Sequence, residues 1–227
     1  MPLLSVIIPV YNEAETLKEI LKKVCAVEVD KEVIVVDDGS SDGSTGLLKE
    51  IGGGEVKIIH CPSNMGKGAA FIKGIESACG EFVIPQDADL EYDPGDYPAL
   101  LDFAVKNNLS VVYGSRFLNS RGGTSLWHYS VNRFLTAVTN LLFGSSLTDM
   151  ETCYKLVRTD LIRQLGLLPS RFEMDPEITA KILKRGYKIK EIPISYKSRF
   201  YRQGKKIGWR DGVNCMFCLF RLRLSRD

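Results

Sequence analysis

The stretch VIPQDADLEYDP (residues 83–94) closes an apolar run and then supplies acids at alternate positions: Asp87, Asp89, Glu91 and Asp93. In extended backbone, side chains two apart point to the same side. Carboxylates crowded this way repel and raise one another's pKa, and a divalent cation removes that cost. Mg²⁺ keeps waters, uses one or two carboxylates and completes its shell with substrate phosphates. Asp87-Ala88-Asp89 therefore reads as a site for Mg²⁺ or Mn²⁺ carrying a diphosphate, with Glu91 as a third ligand or a group behind the ligands. Asp93, directly before Pro94, fits a helix N-cap. A solvated acidic turn is the plain alternative; it loses ground because other polar clusters recur at equivalent places.

Asp37-Asp38 also ends an apolar run, but no alternating acid follows soon. It reads as an acceptor for base N–H or ribose hydroxyl groups, or as part of the cap formed with Ser40-Ser41-Asp42-Gly43. Asn64-Met65-Gly66-Lys67-Gly68 brings glycines and a lysine to a helix start, which suits a phosphate or tight packing. The G-x-x-x-x-G-K-[ST] pattern is absent, so a P-loop ATPase is excluded.

These clusters need a scaffold. Short apolar runs at 3–10, 31–36, 56–60, 81–86 and 110–117 read as buried strands. Helical spacing falls between them, at 13–27, from about 44, at 66–79 and from Pro94 to about Lys106. Alternating strands and helices predict an α/β fold with a doubly wound, mostly parallel sheet and a Rossmann-like nucleotide half. Such sheets bind ligands at the carboxyl ends of their strands, where Tyr11-Asn12-Glu13, Asp37-Asp38-Gly39, Asn64 to Lys67, Asp87-Ala88-Asp89 and Gly114-Ser115-Arg116 all fall. The second half is less regular, with a helix-like run at 124–144, a helix at 176–185 and an extended stretch at 187–199. No repeat or linker interrupts the chain, so one domain is expected: a nucleotide-sugar half to about residue 118 and a C-terminal acceptor-side elaboration over 119–227.

The chain has 227 residues and a formal net charge of +2. From Lys184 to Asp227, however, 13 Lys and Arg face three acids. A basic end on an acidic body suits a phosphate, a nucleic acid or a lipid headgroup, and no recognised nucleic-acid module accompanies it. The six cysteines are scattered; Cys215 and Cys218 lack a second ligand pair and read as buried thiols in a reducing compartment. The N-terminus is too short and too uncharged for a signal peptide. No apolar run reaches the roughly 18 residues of a membrane span. Residues 124–144 and 212–224, with large apolar side chains and, in the latter, Arg221 and Arg223, instead suit the plane of a bilayer surface, core packing or a dimer contact.

PVYNE (9–13), VVDDGSSDGS (35–44), NMGKG (64–68), DADL (87–90), YGSRF (113–117), EIPISYKSR (191–199) and GKKIGW (204–209) together resemble the inverting GT-A glycosyltransferases of family two. Within that family the chain looks most like the polyprenyl-phosphate enzymes of the dolichyl-phosphate mannose synthase type. The resemblance implies a nucleotide-sugar donor, GDP-mannose or UDP-glucose, held by Pro9, Tyr11, Glu13, Val36 and Asp38, with Lys67 and Asp87-Ala88-Asp89 at its diphosphate. It implies a metal on Asp87, Asp89 and Glu91; relatives often carry glutamine at the third position. Arg116, Arg199 and Lys205 would meet the acceptor phosphate or the donor diphosphate, with Arg133 and Arg202 as further cations. The expected acceptor is a polyprenyl or dolichyl phosphate, the expected place the cytoplasmic face of a membrane, and a small membrane subunit or a second copy the further partners.

A phosphate acceptor is largely ionised at neutral pH, its second pKa being about 6. It needs no general base, only neutralised charge, alignment and a stabilised leaving diphosphate; Asp89 and Arg116 are assigned to that work. Asp149 lies where sugar-acceptor relatives place a general base. With a phosphate acceptor it is expected to orient the sugar or a lysine, unless it is a loop acid. Glu173, Asp175 and Glu177 surround a helix start and are read as caps, with a sugar contact by Asp175 as the alternative. Two rival functions follow: transfer to a glycan or other hydroxyl, which needs Asp149 as base, and a non-catalytic nucleotide-sugar-binding subunit, which the intact metal acids disfavour.

Overall fold

A computed structural model describes residues 1–51, 56–119, 123–168, 173–198 and 209–225, with side chains undescribed at 209–211. β1 (Leu4–Val10) is apolar on both faces because it lies inside the sheet; Leu4, Val6, Ile7, Ile8 and Val10 are fully buried. It leads into α1 (Ala14–Ala26), which buries Leu17, Ile20, Leu21 and Val24 at helical spacing. β2 (Lys31–Asp37), α2 (Ser44–Ile51), β3 (Val56–His60), α3 (Lys67–Ser77) and β4 (Phe82–Pro85) continue the alternation. A 3₁₀ turn (Pro94–Asp96) is capped by Asp93, whose carboxylate accepts from the Gly95 amide at 2.9 Å. It opens α4 (Tyr97–Lys106), and β5 (Val111–Ser115) follows.

The second half adds α5 (Leu126–Phe143), β6 (Lys155–Arg158), α6 (Thr159–Gln164), α7 (Met174–Lys184), β7 (Lys190–Pro193) and α8 (Trp209–Leu224). Ser125 caps the start of α5 and Gly144, left-handed at φ 66°, ends it. The described residues form one seven-stranded sheet in the order β3-β2-β1-β4-β6-β5-β7. The first four pair in parallel, β7 joins β5 in parallel, and β6 runs antiparallel to both its neighbours. The strand at 110–117 therefore does not adjoin β4: β6 lies between them. β6 offers only Leu156 and Val157 as a core signal, too short a run to announce a strand. The fold is the expected α/β architecture with one antiparallel insertion.

Helices cover both faces. α1, α2 and α4 pack over one cluster that includes Leu17, Leu48 and Leu100. α3, α6 and α7 cover the other, with Phe71, Leu161 and Ile178. A third cluster joins α5, α7 and α8 through Leu135, Ala180, Cys215, Cys218 and Leu219. These two cysteines are buried free thiols; Cys79, by contrast, is exposed.

Candidate active site

The loops at the carboxyl ends of β1, β2 and β3 are tied to one another. The Asn12, Glu13 and Ala14 amides donate to Ser40 Oγ, Ser44 Oγ and Asp42 Oδ2 at 3.1, 3.1 and 2.9 Å. Asn12 holds φ 56°, a left-handed conformation that asparagine tolerates. Asp37 accepts from Ser40 N, Thr45 Oγ1 and the His60 ring. Burial works against its charge, but the donors outweigh it and lower its pKa. Asp37 thus serves as the internal cap. Asp38, 2% exposed, accepts from the Met65 and Gly66 amides at 2.9 and 2.8 Å and so fixes the NMGKG turn. Gly66 sits at φ 98°, which only glycine adopts without strain. Val36 is buried beneath this loop layer, and Tyr11 stands 37% exposed at its edge.

β4 delivers the acids. Lys67 Nζ lies 2.5 Å from Asp87 Oδ1, so helix α3 and the β4 loop meet at one ion pair. Burial alone would depress the Lys67 pKa, yet the Asp87 carboxylate overrides it and raises the value. Gln86, fully buried, donates to the Asp87 carbonyl at 2.9 Å and accepts from the Tyr97 and Tyr154 hydroxyls. Asp89 accepts from the Glu91 amide at 3.0 Å across Leu90, whose φ of 65° is unusual for leucine. Glu91 accepts from the Tyr196 hydroxyl at 2.6 Å. Among the described residues no three His, Cys, Asp or Glu side chains converge as a ligand set. In this arrangement the tyrosine holds Glu91, the residue expected as a third ligand or as a group behind the ligands. Two carboxylates at a strand tip, one already drawing an ammonium, still suit a hard divalent cation completed by water and phosphate oxygens.

On the far side of β4, Arg116 at the end of β5 meets Asp149. The Asp149 carboxylate takes Arg116 Nε and Nη2 at 2.7 Å each and the Arg116 amide at 3.0 Å. Both side chains are buried, and the guanidinium lies 5.0 to 5.9 Å from the ring centroids of Tyr92, Phe117 and Tyr196. Burial disfavours the Arg116 charge; Tyr92 and Asp149 more than compensate. Glu191 of β7 anchors the same turn, accepting from the Thr148 and Asp149 amides at 2.8 and 3.0 Å. Asp149 thus orients an arginine, where a sugar or a lysine was expected. Arg133 on α5 donates to the Thr148 carbonyl at 2.8 Å, which places a second cation beside this turn. Arg199, Arg202 and Lys205 lie outside the described residues.

Sequence reasoning missed Gln86, Glu151, Lys155 and the anchoring role of Glu191. Lys155 is 1% exposed, and Asp175 at the start of α7 accepts its ammonium at 2.7 Å, so Asp175 is engaged with a lysine. Lys155 carried one legible signal, a lysine inside the apolar run YKLV.

Glu151 accepts from the Cys215 thiol of α8 at 3.2 Å. Burial and then the Asp175 charge push its pKa up to about 7, against the opposing pull of Lys155, Cys215 and Arg116. The folded state therefore holds this proton more tightly than the unfolded chain. Its contribution to stability is complete below the ordinary glutamate range and is lost as pH rises through about 7. Glu151→Gln is expected to remove that slope: wild-type Tm falls further than the variant's between about pH 5 and pH 8. Parallel Tm–pH curves would overturn the assignment.

Comparison with known proteins bears on this crevice. Residues 5–166 match the family described as Glycosyl transferase family 2. The undecaprenyl-phosphate 4-deoxy-4-formamido-L-arabinose transferase of Aeromonas hydrophila is 40% identical over 224 residues, 96% of this chain and 66% of that protein. The dolichol-phosphate mannosyltransferase of Pyrococcus furiosus is 28% identical over 215 residues, 90% of this chain and 59% of that protein. The chain thus spans about three-fifths to two-thirds of the length of these relatives. Among solved structures, glucosyl-3-phosphoglycerate synthase from Mycobacterium tuberculosis with UDP superposes at a TM-score of 0.78 and 17% identity, covering 100% of this chain and 82% of that one. The same enzyme with Mn²⁺, UDP and its product gives 0.75 at 16% identity, covering 100% and 81%. At these identities the likeness is one of fold.

Proposed function

The chain belongs to glycosyl transferase family 2, and on that premise we propose that it moves a sugar from a nucleotide-sugar to a polyprenyl phosphate at a membrane surface. The observation that carries the reading is the pair of carboxylates after β4, Asp87 and Asp89, and the cations Arg116 and Arg133 at the Asp149 turn, the two regions being linked by Tyr196, which donates to Glu91 and lies against Arg116. That division of charge fits a metal-bound diphosphate on one side and an anionic nucleophile on the other. Similar proteins are named for transfer to undecaprenyl phosphate and to dolichol phosphate, which supports the acceptor class.

In this reading Pro9, Tyr11, Glu13, Val36 and Asp38 frame the nucleoside, and residues to about 118 form the donor half. Mg²⁺ or Mn²⁺ on Asp87 and Asp89 would supply charge neutralisation for the departing diphosphate. Lys67 pairs with Asp87, and with a cation on that carboxylate it would be available to a phosphate oxygen. Arg116 and Arg133, with Arg199, Arg202 and Lys205, gather the acceptor phosphate. Its oxygen attacks the anomeric carbon from the face opposite the leaving diphosphate, with inversion. No proton has to be removed, so Asp149 is free to hold Arg116.

A bilayer partner fits the exposed faces of α5 and α8. Trp127, Phe134 and Leu141 on α5, and Phe217, Phe220 and Leu224 on α8, are exposed while their opposite faces pack together. Arg221 and Arg223 stand among them for anionic headgroups. Among the described residues no helix is long and apolar enough to cross a membrane.

The test is incubation with undecaprenyl phosphate in vesicles, Mg²⁺ or Mn²⁺, and GDP-mannose, UDP-glucose or a nucleotide-linked 4-deoxy-4-formamido-L-arabinose. Labelled lipid is expected from one donor, mannose being favoured over glucose among hexoses, and only with the metal. Transfer to a hydroxyl acceptor but never to the lipid phosphate would favour the glycan reading. Metal-independent nucleotide binding without transfer would favour a non-catalytic subunit.

A further inference from the structure

Lys155 is a buried lysine that the mechanism above does not use. Its ammonium has three donors and the site offers three acceptors: the Met150 carbonyl at 2.9 Å, the Thr152 carbonyl, and Asp175 Oδ1 at 2.7 Å. The face of Tyr113 lies 5.1 Å away. Burying an ammonium is costly unless it is fully paired, and a β-strand flanked by Tyr154 and Leu156 could hold a leucine here. What the charge does is close the turn between Asp149 and Cys153, whose inward carbonyls would otherwise lack donors. The start of that turn is Asp149, gripping three Arg116 donors; its end is the Cys153 amide, which donates to the Tyr92 hydroxyl at 3.0 Å. Asp149 takes the guanidinium by Nε and Nη2. Arg116 also lines a polar cavity of about 250 Å³ with Ser115, Asn119, Asp96 and Ser195.

We propose that Lys155 is a positioning residue: by clamping the 149–153 turn to α7, it fixes Asp149 and through it the Arg116 guanidinium that receives the acceptor's anion. The identity of that anion rests on the glycosyltransferase reading; the clamp itself does not. Three measurements on the full chain test it, with Lys155→Met and Asp175→Asn. The first is amide hydrogen exchange. In Lys155→Met the Arg116 and Asp149 amides are expected to exchange at least about tenfold faster, with Ile8 and Val35 in the central strands unchanged. Asp175→Asn, which leaves the two carbonyls paired, gives a smaller change at the same amides. The second is UDP–Mn²⁺ affinity by calorimetry, expected within about twofold of wild type. The third is steady-state transfer to undecaprenyl phosphate, where the acceptor KM rises about tenfold or more and the donor KM does not.

Unchanged exchange at Arg116 and Asp149 in folded Lys155→Met would overturn the proposal. So would uniform acceleration across the sheet, or failure of both variants to fold, since either assigns Lys155 to the fold at large. Faster local exchange in a protein whose wild type transfers no sugar to the lipid would support the clamp and sink the assigned acceptor instead.

Discussion

Asp89→Ala is expected to lower sugar transfer by on the order of 10³ or more while leaving Tm within a few degrees of wild type. The carboxylate is half-buried at the tip of β4 and accepts from the Glu91 amide. Its removal forfeits the half-buried hydrogen bond from the Glu91 amide, worth about 1 kcal/mol, and relieves repulsion from Asp87. The catalytic loss has a different origin. A departing diphosphate carries its charge in the transition state, and with one carboxylate gone a divalent cation there would be held less firmly. UDP affinity in Mn²⁺ should fall with turnover, whereas UDP affinity without metal should hardly move. Asp93→Ala is the contrasting control: it deletes the cap of the turn before α4, costs about 1 kcal/mol of stability and leaves turnover near wild type. Near-normal turnover in Asp89→Ala would remove the metal from the mechanism.

The first half was legible because parallel strands buried on both faces write themselves as short β-branched runs. SVIIPV and EVIVV could be placed within a residue or two, and the polar punctuation at their ends marked the crevice. The second half resisted for physical reasons. β6 is four residues long and gains its stability from β4 and β5 on either side, a long-range pairing that no local pattern carries. Site residues split the same way. Asp87 and Asp89 were visible as a costly cluster of like charges. Glu191 and Gln86 were not, because Glu191 meets Thr148 and Gln86 meets Tyr154 across a long stretch of sequence. Alternation placed Glu91 beside Asp87 and Asp89 as a third ligand or a group behind the ligands; the positive φ at Leu90 breaks the extended register there, and Tyr196 donates to the carboxylate.

Asp149→Ala separates two views of the acid beside the acceptor. As a general base it would be mechanistically central and structurally replaceable. As the partner of Arg116 it is both, because its loss leaves a buried guanidinium with Nε, Nη2 and the backbone amide unpaired. Breaking a buried pair from one side costs about 3–5 kcal/mol, so Tm should fall by on the order of 10 °C, with transfer to the lipid phosphate falling in parallel. Replacing both partners with apolar groups of similar size, Arg116→Met with Asp149→Leu, removes the stranded charge and should restore much of the stability. It cannot restore a cation facing the acceptor, so transfer stays low, while UDP–Mn²⁺ affinity stays near wild type. A double variant that regained both stability and transfer would show that Arg116 never touches the phosphate. An Asp149→Ala protein as stable as wild type, with activity lost only where a base is needed, would return Asp149 to the role of base and make a hydroxyl the acceptor.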